Sequence, residues 1–186
     1  FICTFSHDGV ESWRHLIWNP ERDGADLALA VCQDASGVYV TGTMASLADP
    51  DGSDAFVRKY GHDGVESWHR FIGTTETDTG VGICVDSTGV YVAGVTSGAF
   101  TGFTNAGESD LFVCRLDPGD GEVQWTRQVG GPLYDGLNLG TQICLDATGL
   151  YVAGHAGDST ADPKKDYDIF LRKFDRNGTS LWIHEP

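Results

Sequence analysis

The sequence predicts an all-β protein built from repeated four-stranded antiparallel sheets, and three observations predict it. A tryptophan-ended hexapeptide recurs, as DGVESW at 8–13 and 63–68, DGEVQW at 120–125 and NGTSLW at 177–182. Two further markers recur between its copies: QDASGVYVTG (33–42), VDSTGVYVAG (85–94) and LDATGLYVAG (145–154), then DAFVRKY (54–60), DLFVCRL (110–116) and DIFLRKF (168–174). Third, Gly and Asp punctuate short Val-, Tyr- and Phe-rich runs, the composition of strands and turns, and no ten-residue stretch has helical periodicity. A fixed period of this length marks a repeat architecture.

Each unit reads as four strands, A to D. Strand A is expected at about 28–33, 81–85 and 141–145, and strand B at 38–43, 90–95 and 150–155. The Asp-x-x-Gly between them (Asp34 to Gly37, Asp86 to Gly89, Asp146 to Gly149) is a tight hairpin with Gly at positive φ. Gly42, Gly94 and Gly154 inside strand B allow a close backbone approach. Strand C is expected at 54–60, 110–116 and 168–174, with FICTF at 1–5 fitting its end, and strand D at 10–17, 65–72, 122–129 and 179–184. Asp8-Gly9, Asp63-Gly64, Asp120-Gly121 and Asn177-Gly178 form the corners between C and D; Asn177-Gly-Thr179 is also a glycosylation sequon, which turn use explains. Runs such as VYV and LFV lack clean alternation, so both faces of each sheet are expected to be covered. Trp13, Trp68, Trp125 and Trp182 are expected to pack each unit on the next.

Radial stacking of such sheets is the β-propeller arrangement. The units divide as a partial blade at 1–18 and blades at 19–73, 74–130 and 131–186, about three and a half in all. Propellers close with typically 4–8 blades, so the chain is expected to be a segment of a larger propeller or one half of an assembled one. It starts with Phe1 inside a repeat, which points to a processed or truncated end.

The combined pattern D-x-F-V-x-K-Y, D-G-x-x-x-W and V-D-x-x-G-x-Y-V-x-G resembles the SBBP repeat, the seven-bladed β-propeller repeat family. That resemblance implies a bacterial-type secreted or cell-surface module and brings no shared catalytic motif.

The net charge of −15 repels phosphate backbones and anionic lipid, and apolar runs are too short to cross a bilayer; neither nucleic acid nor membrane insertion is expected. No Gly-x-Ser-x-Gly, His-Glu-x-x-His or P-loop string is present, and the six histidines form no constellation, so the chain is not expected to be an enzyme. Five cysteines without a CxxC pair read as small buried hydrophobes.

The A–B and C–D turns barely vary, whereas the D–A and B–C connections differ in length and chemistry and share one edge. That acidic rim is where a protein or glycan partner would be read. Its candidate contacts are Phe100, Phe103, Asn105, Tyr134, Glu76 and Asp78. Asp78 also belongs to a position repeated as Asp26 and Asn138, which favours a cap joining blades. No cofactor is required; calcium is the one the rim favours, at Asp49, Asp51 and Asp54, where alternate carboxylates converge on a hard cation, against a plain solvated turn. The function expected is a binding or scaffold module, with a structural subunit of a surface filament, layer or complex as the alternative. Part of a propeller enzyme, such as a polysaccharide lyase, ranks third.

Overall fold

A computed structural model describes residues 1–17, 26–45, 52–130, 141–157 and 167–184. Its strands pair antiparallel into four sheets that follow chain order. The first holds β1 (Ile2–Phe5) and β2 (Glu11–His15); the second β3 (Leu27–Asp34), β4 (Gly37–Ala45), β5 (Ser53–Tyr60) and β6 (Glu66–Ile72). The third holds β7 (Asp78–Asp86), β8 (Gly89–Thr96), β9 (Asp110–Leu116) and β10 (Val123–Val129); the fourth β11 (Gln142–Asp146), β12 (Gly149–Gly157), β13 (Tyr167–Phe174) and β14 (Ser180–His184). Each four-stranded sheet is a meander in which every strand pairs with its chain neighbours.

Two turn devices fix the meander. Between A and B, the Asp34, Asp86 and Asp146 carboxylates accept from the backbone N–H two residues on, at 2.7, 2.8 and 2.6 Å, and from the hydroxyl of that same residue. The Thr148 hydroxyl and then its N–H hold the Asp146 carboxyl down at about 2. Gly37 and Gly149 take φ of 155° and 146°, whereas Gly89 is not among the positive-φ glycines, so the Asp oxygen is the constant feature of this hairpin. Between C and D, Gly9, Gly64, Gly121 and Gly178 take φ of 77°, 85°, 77° and 80°, the left-handed region that a side chain disfavours.

Strands β4, β8 and β9 are buried almost throughout, because sheets cover one another on both faces. The face of the second sheet bearing Tyr39, Ala55, Val57 and Trp68 packs on Val90, Val92, Phe112 and Leu116 of the third. The third repeats this one period on, setting Tyr91, Ala93, Leu111 and Val113 against Ile143, Leu150, Val152, Phe170 and Phe174. Ile2 and Ile17 meet Val38, Val40, Phe56 and Tyr60 in the same way. Each fully buried aliphatic or aromatic side chain contributes about 1.5–3 kcal/mol, so the joints between sheets are the core.

The tryptophans lock these joints. Trp13, Trp68 and Trp125 each donate an indole N–H to a carbonyl in the C–D turn of the next unit, His62, Pro118 and Arg176, at 3.0, 3.2 and 3.1 Å. Each ring lies against the glycine of that turn: a Cβ on Gly64, Gly121 or Gly178 would stand 2.7, 2.6 or 3.0 Å from it. The residue two places on reaches the same turn, His15 to the Gly64 carbonyl and Arg127 to that of Gly178, while Arg70 pairs with Glu122. Trp182 departs from the expectation. It is 42% exposed, because no described sheet follows the fourth.

The cysteines also divide. All five are free thiols; Cys114 is buried and Cys3, Cys32 and Cys84 are partly buried, but Cys144 is exposed. Cys32 and Cys84 pack into the joint that follows their own sheet, and no described sheet covers the corresponding surface beside Cys144. Burial pushes the Cys32 thiol up to about 12, far from a reactive thiolate.

Candidate functional site

The loop-bearing edge is described most fully on the third sheet, where the D–A connection entering β7 meets the B–C loop at 97–109. Ser97 N–H donates to the Thr77 carbonyl at 2.9 Å, and Gly98 sits against Thr74 and Glu76. The two variable connections thus share one edge here.

The B–C loop is stitched by its own residues. Phe103 N–H donates to the Phe100 carbonyl at 2.9 Å, and Gly102 turns the chain at φ 87°. Asn105 Nδ2 donates to the Ser97 carbonyl at 2.6 Å, closing the loop across its neck. Below lies Gln128, nearly buried on β10: its Oε1 accepts from Phe100 N–H at 2.9 Å, and its Nε2 donates to the Gly98 carbonyl at 2.9 Å and to Asp110 Oδ2 at 2.7 Å. Asp110 also accepts from Ala106 N–H, and burial raises its carboxyl above the ordinary range. Gly102, Phe103, Thr104, Ala106, Gln128 and Gly130 line an open cleft of about 620 Å³ over this knot. Asn105 Oδ1 and Ser109 Oγ are buried without a hydrogen-bond partner, leaving polar capacity in the loop unused.

The predicted contacts separate on this geometry. Phe103 and Asn105 are half-buried in the cleft loop, and Glu76 is exposed beside it. Phe100 instead turns inward, edge-on to Phe112 with ring centroids 5.4 Å apart, and packs on the core of the joint. Asp78 is fully buried, so its carboxylate faces no partner in solution. It caps the D–A connection by accepting from Thr74 N–H at 2.6 Å and from the Thr74 hydroxyl at 3.1 Å. Burial pushes its carboxyl up to about 6; Thr96 and Thr74 pull the other way, and Asp54 adds to the rise. Tyr134, Asp49 and Asp51 lie outside the described residues. Asp54 sits against Gly73, near Asp78, and among the described residues no three His, Cys, Asp or Glu groups are placed to hold a metal ion.

Gln128 carries the loop and went unremarked in the sequence. Its signal is a change of character within the repeat: three residues after the tryptophan stand Leu16 and Phe71 in the earlier units, against Gln128 here and Glu185 in the last.

A second groove, of about 560 Å³, runs between β1 and β3, lined by Ile2, Thr4, Ala28, Ala30 and Val31. It lies along the edge of β1 that pairs with no described strand.

His15, His62 and His69 engage a turn carbonyl, the Asp34 carbonyl and Glu66, respectively. No protein-family model matches the chain, and no curated protein matches it.

Proposed function

We propose that the chain is an arc of a β-propeller of the SBBP-repeat kind and works as a non-catalytic binding or scaffold module outside the cell or at its surface. The partner is a protein or glycan read at the loop-bearing edge. One observation carries this reading: the 97–109 loop holds a half-buried Phe103 over an open cleft, on a floor that Gln128 fixes. An aromatic face beside fixed polar groups suits the apolar face and hydroxyls of a sugar ring, or a side chain of a partner protein. Such a site gains affinity because its loop is ordered before binding.

Glycan-array and pull-down measurements with the wild type, Phe103→Ala and Asn105→Ala test it. Binding lost in Phe103→Ala with its unfolding unchanged, and reduced in Asn105→Ala, which also loses the bond to the Ser97 carbonyl, is the expected result. Binding that persists in both variants, or catalytic turnover by the chain alone, would overturn it.

A further inference from the structure

Two carboxylates from neighbouring sheets meet at the loop-bearing edge of the joint between the second and third sheets. Asp54 stands near the start of β5, and Asp78 begins β7. Gly73 of the D–A connection lies against both: a Cβ there would stand 2.3 Å from Asp54 Oδ1 and 3.2 Å from Asp78 Oδ2. Asp78 is fully buried; Thr74 occupies its Oδ2 through a backbone N–H and a hydroxyl, while its Oδ1 is enclosed without a partner. Asp54 is half-buried, and among the described residues no Lys, Arg or His pairs with either carboxylate. Enclosing an unpartnered carboxylate oxygen beside a second carboxylate is costly unless a positive charge compensates. The repeat makes this particular to one joint. In the third unit Asp110, the equivalent of Asp54, is matched by Gln128 Nε2 at 2.7 Å and by the Ala106 N–H. Phe71 stands in place of Gln128 in the second unit, and Asn138 stands in place of Asp78 in the fourth. The joint after the second sheet therefore keeps both acids and lacks the amide that would satisfy one of them.

We propose that Asp54 and Asp78 together hold a calcium ion between the second and third sheets. Asp78 Oδ1 and the Asp54 carboxylate supply anionic oxygens from two different sheets, and water reaching half-buried Asp54 completes the shell. A donor set made only of oxygen, with no imidazole or thiolate, selects a hard cation. With two carboxylates the site belongs to the weak class found in extracellular modules, with a dissociation constant on the order of 0.1–1 mM. The ion ties the D–A connection to the start of β5. That connection also holds the neck of the 97–109 loop, where Ser97 N–H meets the Thr77 carbonyl, so calcium stiffens the loop-bearing edge. The inference does not depend on what the cleft at Phe103 binds.

Calorimetric titration of the chelator-stripped chain with calcium chloride at fixed ionic strength tests the inference, with urea unfolding midpoints as an independent readout. The wild type is expected to bind calcium and to unfold at a higher midpoint as the ion rises to about 10 mM. Asp54→Asn is expected to weaken binding by about tenfold or more, and Asp78→Asn to abolish it. Both replacements keep the side-chain shape, and Asn is what the fourth unit carries at the second of these positions, so both variants fold; far-ultraviolet dichroism and cooperative unfolding check this. Asp49→Asn combined with Asp51→Asn removes the neighbouring acids of the B–C connection and is expected to bind as the wild type does. A wild type whose midpoint calcium leaves unchanged, an Asp78→Asn chain that binds as tightly as the wild type, or binding lost in the Asp49 and Asp51 variant and kept in Asp78→Asn would each overturn the proposal. The last result would place the ion in the B–C connection instead.

Discussion

The Trp68 indole lies so close to Gly121 that a Cβ on that glycine would fall 2.6 Å from the ring, while the indole N–H reaches the Pro118 carbonyl at 3.2 Å. One turn therefore supplies both the floor and the acceptor for the tryptophan of the preceding unit. Gly121→Ala is expected to destabilise the chain by about 2–4 kcal/mol, combining positive φ with overpacking of the joint. Gly9→Ala, which has the same backbone strain and no ring above it, is expected to lose only about 1–2 kcal/mol. Urea unfolding of the two variants at low protein concentration gives the difference, which belongs to the joint.

Equivalent tryptophans are predicted to differ for the same reason. Trp68→Ala empties a nearly buried site and is expected to remove about 3–5 kcal/mol, whereas Trp182→Ala should stay within about 0.5 kcal/mol for the isolated chain. Thermal unfolding at low concentration checks the pair. Equal losses would mean that the fourth sheet is covered in solution.

Asp78 predicts an unusual sign in the pH dependence. Its folded carboxyl titrates near 6, above its ordinary value, so the folded state binds its proton more tightly than the unfolded chain does. Stability should fall as pH rises from about 4 through 6, by an amount on the order of 3 kcal/mol for this one group. Asp146, whose folded carboxyl titrates near 2, acts oppositely and below that window: its contribution is present above the ordinary range and lost in acid. Asp78→Asn, which copies the Asn138 of the next unit, should reduce the slope between pH 4 and 6, leaving the share of the buried Asp110, and keep the acid limb. Urea midpoints of both proteins across that range test this.

Gln128→Leu would strip three partners at once, Phe100 N–H, the Gly98 carbonyl and Asp110 Oδ2. A loss of about 2–4 kcal/mol is expected, together with faster proteolytic cleavage within 97–109 than within the tight turns. Phe100→Ala should also destabilise, by about 2–3 kcal/mol, because its ring packs on Phe112, whereas Phe103→Ala should not.

Strand order was legible because turn chemistry recurs with the tryptophans. Asp-Gly corners and Asp-x-x-Gly hairpins bound each apolar run, so register follows once the period is found. Strand starts were less legible. β7 begins at Asp78, ahead of the expected Val81, because Gly80 and Gly82 flank a bulge opposite Gly94, and glycines do not resemble a strand. At the edge, Phe103 was readable as a candidate, but the inward turn of Phe100 was not: one aromatic among small residues carries no periodicity to set its direction. The burial of Asp78 was half legible, since its recurrence marked a cap while its charge suggested a rim. Trp182 was expected to be covered from a rule true of three tryptophans, and it differs only in having no described sheet beyond it.

Because Trp13, Trp68 and Trp125 each fit the glycine of the following turn, this contact does not depend on which of those units supplies either half. Excising residues 64–120 as a block would set Gly121 directly after Asp63 and beneath Trp13, restoring the same lock in a chain one unit shorter. The gene segment for a unit is therefore a transferable cassette, and recombination between copies can change the number of units while restoring the tryptophan–glycine lock.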